Sequence, residues 1–193
     1  MSVAAVVLAA GASRRLGRPK QNVVIVGETL LQRAIRLSGE ASLSPIIVVC
    51  RTNEDTLGLD WAVTIAINHE ADEGLASSIR CGIALASNHN AAGAVILPCD
   101  QPTLRADHLR ALVEDESRIT GSAYAGSIGV PAYFPATSFP LLLQLHGDTG
   151  ARALLIDAHA IVAEDLSLDV DTEHDLAAAR ALLEHDGNGA RRV

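Results

Sequence analysis

Apolar positions in this chain of 193 residues fall into short unbroken runs separated by stripes at helical spacing. The first run, Val3–Ala10 (VAAVVLAA), contains no polar residue and is closed by Gly11. Its length and its β-branched valines predict a strand buried on both faces of a parallel sheet. Val23–Val26 is a second, brief apolar segment, and Gly27-Glu28-Thr29 reads as a turn into a helix. Leu30, Leu31, Ala34, Ile35 and Leu37 form that helix's buried stripe. Pro45 introduces a strand at Ile46–Cys50, and Trp61 to Ile67 predicts another, with Val63, Ile65 and Ile67 alternating. Leu75, Ile79 and Ile83 then mark a helix, and Ala94–Leu97 a strand that ends at Pro98-Cys99-Asp100. Leu109, Leu112 and Val113 lie on one face of the next helix.

The second half is less regular. Gly121–Tyr124 and Val130–Phe134 read as strands, Phe139–Leu145 and Ala151–Ile156 as helical turns. Ile161–Val162 is a candidate late strand before a final helix, Thr172–Leu183. Strands alternating with helices predict right-handed βαβ units in an α/β fold, a three-layer α/β/α sandwich with a Rossmann-like, mostly parallel sheet. One domain is expected over residues 1–186, with a polar tail, 187–193, that frays. Ligands of such sheets gather outside the carboxyl ends of the strands. Gly11–Lys20 and Asp100 both occupy such ends and are expected to converge.

Composition sharpens this picture. Apolar residues make up 49% of the chain but aromatics only 3%, so Ala, Val, Leu and Ile must build the core. The formal charge of −8 argues against general affinity for nucleic acid or anionic membranes. Three widely spaced cysteines (Cys50, Cys81, Cys99) show no metal-ligand spacing and fit a reduced cytoplasmic protein. The N-terminal run lacks a basic leader, and no apolar stretch is long enough to span a bilayer.

Against the acidic background, Arg14, Arg15, Arg18 and Lys20 cluster just after Gly11, Ala12 and Ser13. Small residues let backbone N–H groups approach a ligand, and the cations beyond supply charge suited to a di- or triphosphate. The loop has neither the Gly-Lys-Ser/Thr ending of a Walker loop nor the third glycine of a dinucleotide fingerprint. Read as L-A-A-G-x-S-x-R-x-G-x-x-K, it resembles the signature of the molybdopterin nucleotidyltransferases, the MobA-like NTP transferases related to molybdenum cofactor cytidylyltransferase. Leu8, Ala9, Ala10, Gly11, Ser13, Arg15, Gly17 and Lys20 all match, while Leu16 stands where methionine is common.

The resemblance runs from Val3 to about Leu183 and implies the sheet of the nucleotide-diphospho-sugar transferase type. It also implies transfer of CMP from CTP to the phosphate of the molybdenum-molybdopterin cofactor, with release of pyrophosphate. Arg15 and Lys20 are then the catalytic cations, and Leu8, Ala9, Ala10, Gly11, Ala12 and Ser13 bind nucleotide. Asp100, in ILPCDQP, is by position alone either a metal ligand or a helix cap; the resemblance implies a ligand for Mg²⁺ (or Mn²⁺). Asp169-Val170-Asp171-Thr172 matches the family's D-x-D-T-x-x-D-L, which implies Asp171 as second metal ligand, with Thr172 and Asp175 forming a capping-box-like start. Ser78 is the implied base-side contact, Gly82 a close-packing position, and Arg80 either near the site or exposed.

One further segment bears on the identity of the acceptor, and a second simply matches the family's pattern. Gly129-Val130-Pro131 departs from the family's G-H-P, while Gly147-Asp148-Thr149-Gly150-Ala151-Arg152 matches G-D-x-G-A-R, with Asp148 alternatively a helix cap. Ala10, where guanylyltransferase relatives tend to carry glycine, narrows the room beside the base and favours CTP. The implied partner that receives the product is a xanthine dehydrogenase-family apoenzyme. The competing readings are a guanylyltransferase, a sugar-phosphate nucleotidyltransferase and a non-catalytic carrier of the molybdenum cofactor.

Overall fold

A computed structural model of the chain describes residues 2–52 and 62–189. Strand β1 (Val3–Leu8) is buried at every position, and its side chains alternate between two cores. Val3, Ala5 and Val7 enter one, Ala4, Val6 and Leu8 the other, which is why the run has no polar residue. A small hairpin of β2 (Val24–Ile25) and β3 (Glu28–Thr29) feeds helix α1 (Leu30–Glu40). A reciprocal capping box starts that helix: Thr29 Oγ1 accepts from Gln32 N at 3.1 Å, and Gln32 Oε1 from Thr29 N at 2.8 Å.

Strands β4 (Ile46–Cys50) and β5 (Thr64–Ile67), helix α2 (Leu75–Asn88), strand β6 (Gly93–Pro98) and helix α3 (Ala106–Leu112) complete the first half. The expected strand start at Trp61 lies outside the described residues. The second half adds β7 (Thr120–Tyr124), β8 (Ser127–Pro135), α4 (Phe139–Leu142), β9 (His159–Val162) and α5 (Glu173–Gly189). The sheet order is β5-β4-β1-β6-β8-β7-β9. The first four strands run parallel, β8 is antiparallel to both β6 and β7, and β9 is parallel to β7. The core containing Val3, Ala5 and Val7 is closed by α1 and α3, the opposite one by α2 and α4, giving the three layers. Helix α2 approaches β1 so closely that a Cβ on Gly82 would overlap Val6 Cγ1 and stand 3.1 Å from Val49 Cγ2.

The structure differs from the expected elements mainly in the second half. Helix α4 is one turn that seats Phe139 and Leu142, while Leu141 and Leu143 face outward, so that leucine-rich stretch has no continuous buried stripe. Ala151–Ile156, read as helical turns, holds a 3-10 turn at Arg152–Leu155. Helix α5 runs to Gly189, past the boundary expected at 186, and residues 190–193 of the tail lie outside the described residues. A third apolar cluster joins Leu16 of the β1 loop to Val23, Ile25, Leu30, Val170, Leu176 and Ala179. Among the described residues no helix is long and apolar enough to cross a membrane.

Candidate active site

Beyond Leu8 the chain leaves its ladder, although Ala9 N still donates to Val49 O at 2.8 Å. Ser13 and Gly17, with φ of 48° and 71°, turn the backbone back on itself. Gly17 N donates to Ser13 O at 3.1 Å, and Lys20 N to Ser13 Oγ at 3.0 Å. The fixed serine of the motif therefore closes the loop and sets where Lys20 begins. Leu16 plugs into the third apolar cluster between those two turns, leaving Arg14 and Arg15 exposed on the outside.

Two carboxylates meet this loop. Val170 N donates to Asp100 O at 2.9 Å, which ties the end of β6 to the segment before α5. Thr172 and Asp175 then cap α5 reciprocally: Thr172 N donates to Asp175 Oδ2 at 2.8 Å and Asp175 N to Thr172 Oγ1 at 3.2 Å. Held from both sides, Asp171 reaches Lys20 Nζ through Oδ1 and Arg15 through Oδ2. Asp100 Oδ2 accepts from the same Lys20 Nζ at 3.1 Å. Asp100 caps no helix, since α3 begins after Arg105 without a side-chain cap.

Only 17% of the Lys20 side chain is exposed. Burial alone would lower its ammonium, but Asp100 and Asp171 outweigh that and raise it above 10.5. Asp169 points its partly enclosed carboxyl at the same charges: burial first, then the negative charge of Asp100, push it up to about 6. Cys99 lines the cavity, but burial pushes its thiol up and keeps it protonated. Among the described residues no group of three or more His, Cys, Asp or Glu converges as a metal cluster. Asp100 and Asp171 nonetheless converge on one cationic group from two sides. Two hard oxygen donors around a position that already holds a positive charge fit a divalent cation such as Mg²⁺ or Mn²⁺.

Two adjoining cavities gather the site residues expected from the sequence. One, of about 210 Å³, is lined by Leu8, Ala9, Gly11–Arg15, Lys20, Asp100 and Asp171. The other, of about 490 Å³, shares Leu8, Gly11, Ala12, Arg14 and Asp100 with it, and extends past Ala10 and Ser78 to Val130 and Asp148. Arg80 lies outside both: it is a strut, bonded to Glu73, Glu70 and the Leu145 carbonyl.

Asn68 and Arg51 were not singled out in the sequence. Asn68 Nδ2 donates to Ser77 Oγ at 2.9 Å and Ser78 Oγ at 3.0 Å, orienting both hydroxyls. Arg51 Nε donates to Ala10 O at 2.8 Å and its guanidinium pairs with Asp72 at 2.8 Å, bridging two walls of the larger cavity. Each directly follows a parallel strand, β4 or β5, so position at a strand's carboxyl end was the signal that would have found them.

The fold agrees with comparison to known proteins. The profile of the MobA-like NTP transferase domain matches residues 5–162. The chain is 34% identical over 163 residues to the purine catabolism protein PucB of Bacillus subtilis, covering 78% of each chain. It is 30% identical over 190 residues to a nicotine blue oxidoreductase of Paenarthrobacter nicotinovorans, covering 88% of this chain and 92% of that one. A probable molybdenum cofactor guanylyltransferase of Opitutus terrae is 31% identical over 105 residues, covering 54% and 51%. Among solved structures, Rv0371c of Mycobacterium tuberculosis in complex with manganese superposes with a TM-score of 0.73 at 26% identity, covering 94% and 98%.

Proposed function

The chain belongs to the MobA-like NTP transferase family, and from that premise we propose that it transfers CMP from CTP to the terminal phosphate of molybdenum-bound molybdopterin, releasing pyrophosphate. The observation that carries this reading is the convergence of Arg15, Lys20, Asp100 and Asp171 under a loop of small residues at the end of β1. An oxygen of the acceptor phosphate attacks the α-phosphorus in line; the bond from that phosphorus to the bridging oxygen breaks, and the electron pair leaves with pyrophosphate.

No covalent intermediate with the protein is needed, so positioning and charge stabilisation dominate. Backbone N–H groups of Gly11–Ser13 face the phosphates, and Arg15 and Lys20 neutralise the leaving pyrophosphate. Asp100 and Asp171 would hold the Mg²⁺ or Mn²⁺ whose charge offsets that of the triphosphate. The manganese complex of the Rv0371c structure supports a divalent ion in this fold. Ser78, fixed by Asn68, offers its hydroxyl to the base or ribose.

Ala10 supports the choice of CTP. It is buried, its carbonyl is held by Arg51, and its methyl narrows the cavity wall where a purine needs more room. The Opitutus terrae relative's name favours GTP instead, so nucleotide choice is the point to test. Calorimetric titration with CTP, GTP and ATP in the presence of Mg²⁺ is expected to show tightest binding of CTP, lost in Asp100→Ala. Tighter binding of GTP would overturn the reading of Ala10 and leave a guanylyltransferase. Absence of nucleotide binding would leave the carrier reading.

A further inference from the structure

Behind the wall of the larger cavity, at the start of α2, lie three enclosed polar side chains: Asn68, Ser77 and Ser78 are 5%, 2% and 6% exposed. Their hydrogen bonds run in one direction. Asn68 follows β5, and its backbone N donates to Cys50 O at 2.8 Å. The Glu70 N–H can only donate, and it reaches Asn68 Oδ1 at 2.9 Å, which fixes which way round the amide stands. Asn68 Nδ2 therefore turns its hydrogens to the serines, to Ser77 Oγ at 2.9 Å and to Ser78 Oγ at 3.0 Å. Ser77 gives its own proton to Gly74 O at 2.8 Å. That carbonyl is the one a helical Ser78 would otherwise reach one turn back.

Ser78 thus accepts from Asn68 but finds no acceptor for its own proton among the described residues. A buried hydroxyl oxygen with one accepted bond is satisfied, whereas a buried O–H without an acceptor costs the desolvation of that donor. Ser78 is also the member of the trio that lines the larger cavity, together with Ala10, Ala71, Gly74 and Leu75. Arg51 ties Ala10 to the turn before α2, donating to Ala10 O at 2.8 Å and pairing with Asp72 at 2.8 Å. The loop carrying Asp148 holds the α2 start as well: Ala76 N donates to Gly147 O at 3.0 Å, and Gly147 N to Glu73 Oε1 at 3.2 Å. This part of the cavity therefore presents a methyl and one O–H donor, both on fixed backbone.

We propose that Asn68 is a positioning residue for nucleotide choice: by donating to Ser78 it makes that hydroxyl a donor toward the base, and so favours a base whose pairing edge accepts. Along that edge cytosine presents two adjacent acceptors, O2 and N3, where guanine presents two adjacent donors, N1–H and its 2-amino group. Guanine donating to the remaining lone pair of Ser78 leaves the serine proton buried without an acceptor. The inference rests on the cytidylyltransferase reading and gives its preference for CTP a polar cause besides the methyl of Ala10.

The test uses the full chain and calorimetric titration with CTP and with GTP in the presence of Mg²⁺, reading the ratio of the two dissociation constants. A general defect in the site weakens both triphosphates alike and leaves that ratio unmoved. Asn68→Asp keeps the size of the side chain but replaces the donor with an acceptor, so that the Ser78 proton turns away from the cavity. The preference for CTP is expected to fall by about tenfold or more. Ser78→Ala, which removes the hydroxyl without burying a charge, is expected to lower it likewise, and adding Asn68→Asp to that variant should change the ratio no further. Wild type that prefers CTP while either single variant keeps its ratio overturns the proposal and leaves the cytidylyltransferase reading standing. So does a further fall on adding Asn68→Asp to Ser78→Ala, which would show that Asn68 acts elsewhere. Wild type that prefers GTP, or binds neither nucleotide, removes both.

Discussion

Lys20 sits where one substitution separates what the fold requires from what the chemistry requires. In Lys20→Met the chain length is kept and the charge is lost, leaving Asp100 and Asp171 facing each other with only Arg15 on one of them. At the 3.1 Å separation of Lys20 and Asp100, an effective dielectric of about 20 gives a Coulomb attraction of about 5 kcal/mol. Desolvation of three largely enclosed charges cancels much of it, and a net loss of about 2 kcal/mol is expected. For a chain of this size that lowers the thermal midpoint by about 4–8 °C. Manganese ions should restore more stability to the variant than to wild type, because they replace the missing charge between the two aspartates. Turnover, read as pyrophosphate release, should fall about 10²–10³-fold with the fold intact. A midpoint within about 1 °C of wild type would refute the electrostatic account of the cluster, judged against this scale. Unchanged turnover would remove Lys20 from the mechanism.

Two other perturbations test the packing and the half-buried His108. Gly82→Ala should cost about 1–3 kcal/mol, because its methyl collides with Val6 across the α2–β1 contact, and denaturant unfolding reads it as a lower midpoint with an unchanged slope. His108 Nε2 lies 2.7 Å from Ser122 Oγ, which donates to Pro131 O at 2.6 Å, so this ring nitrogen carries a proton while the ring is neutral. Burial lowers the His108 pKa below 6.5. Its contribution is therefore complete above pH 6.5 and is lost as pH falls through the depressed folded value. His108→Gln should flatten that acid-side decline in a thermal-unfolding series, and an unaltered pH profile would contradict the assignment.

The loop after β1 was legible because its information is local. Val3–Ala10 needs only its own pattern to become a two-faced buried strand, and Ser13 and Gly17 needed only the turn behind it. Asp171 was recognisable from D-x-D-T-x-x-D-L, but its distance from Asp100 is set by Val170 N reaching the Asp100 carbonyl, a contact between segments 70 residues apart. Asn68, Arg51 and the anchoring of Asp148 depend on such long-range contacts and left no periodic trace. The direction of β8 was likewise hidden, since alternation of side chains reads the same either way along a strand.

The reversal of β8 decides which parts of this molecule can change without consulting one another. Running against β6, it brings its beginning rather than its end to the rim where Asp100 lies, and the tight Ala125-Gly126 turn joining it to β7 projects from that same rim. The rim is thereby split in two: the loops after β1, β4 and β5, to which the Asp148 loop is bonded through Glu73 and Ala76, lie on one side, and the β7–β8 turn on the other. Lengthening or exchanging that turn leaves the ladder of β1, β4 and β6 untouched. A chain built this way can keep its central ladder and vary its rim by editing a few surface turns.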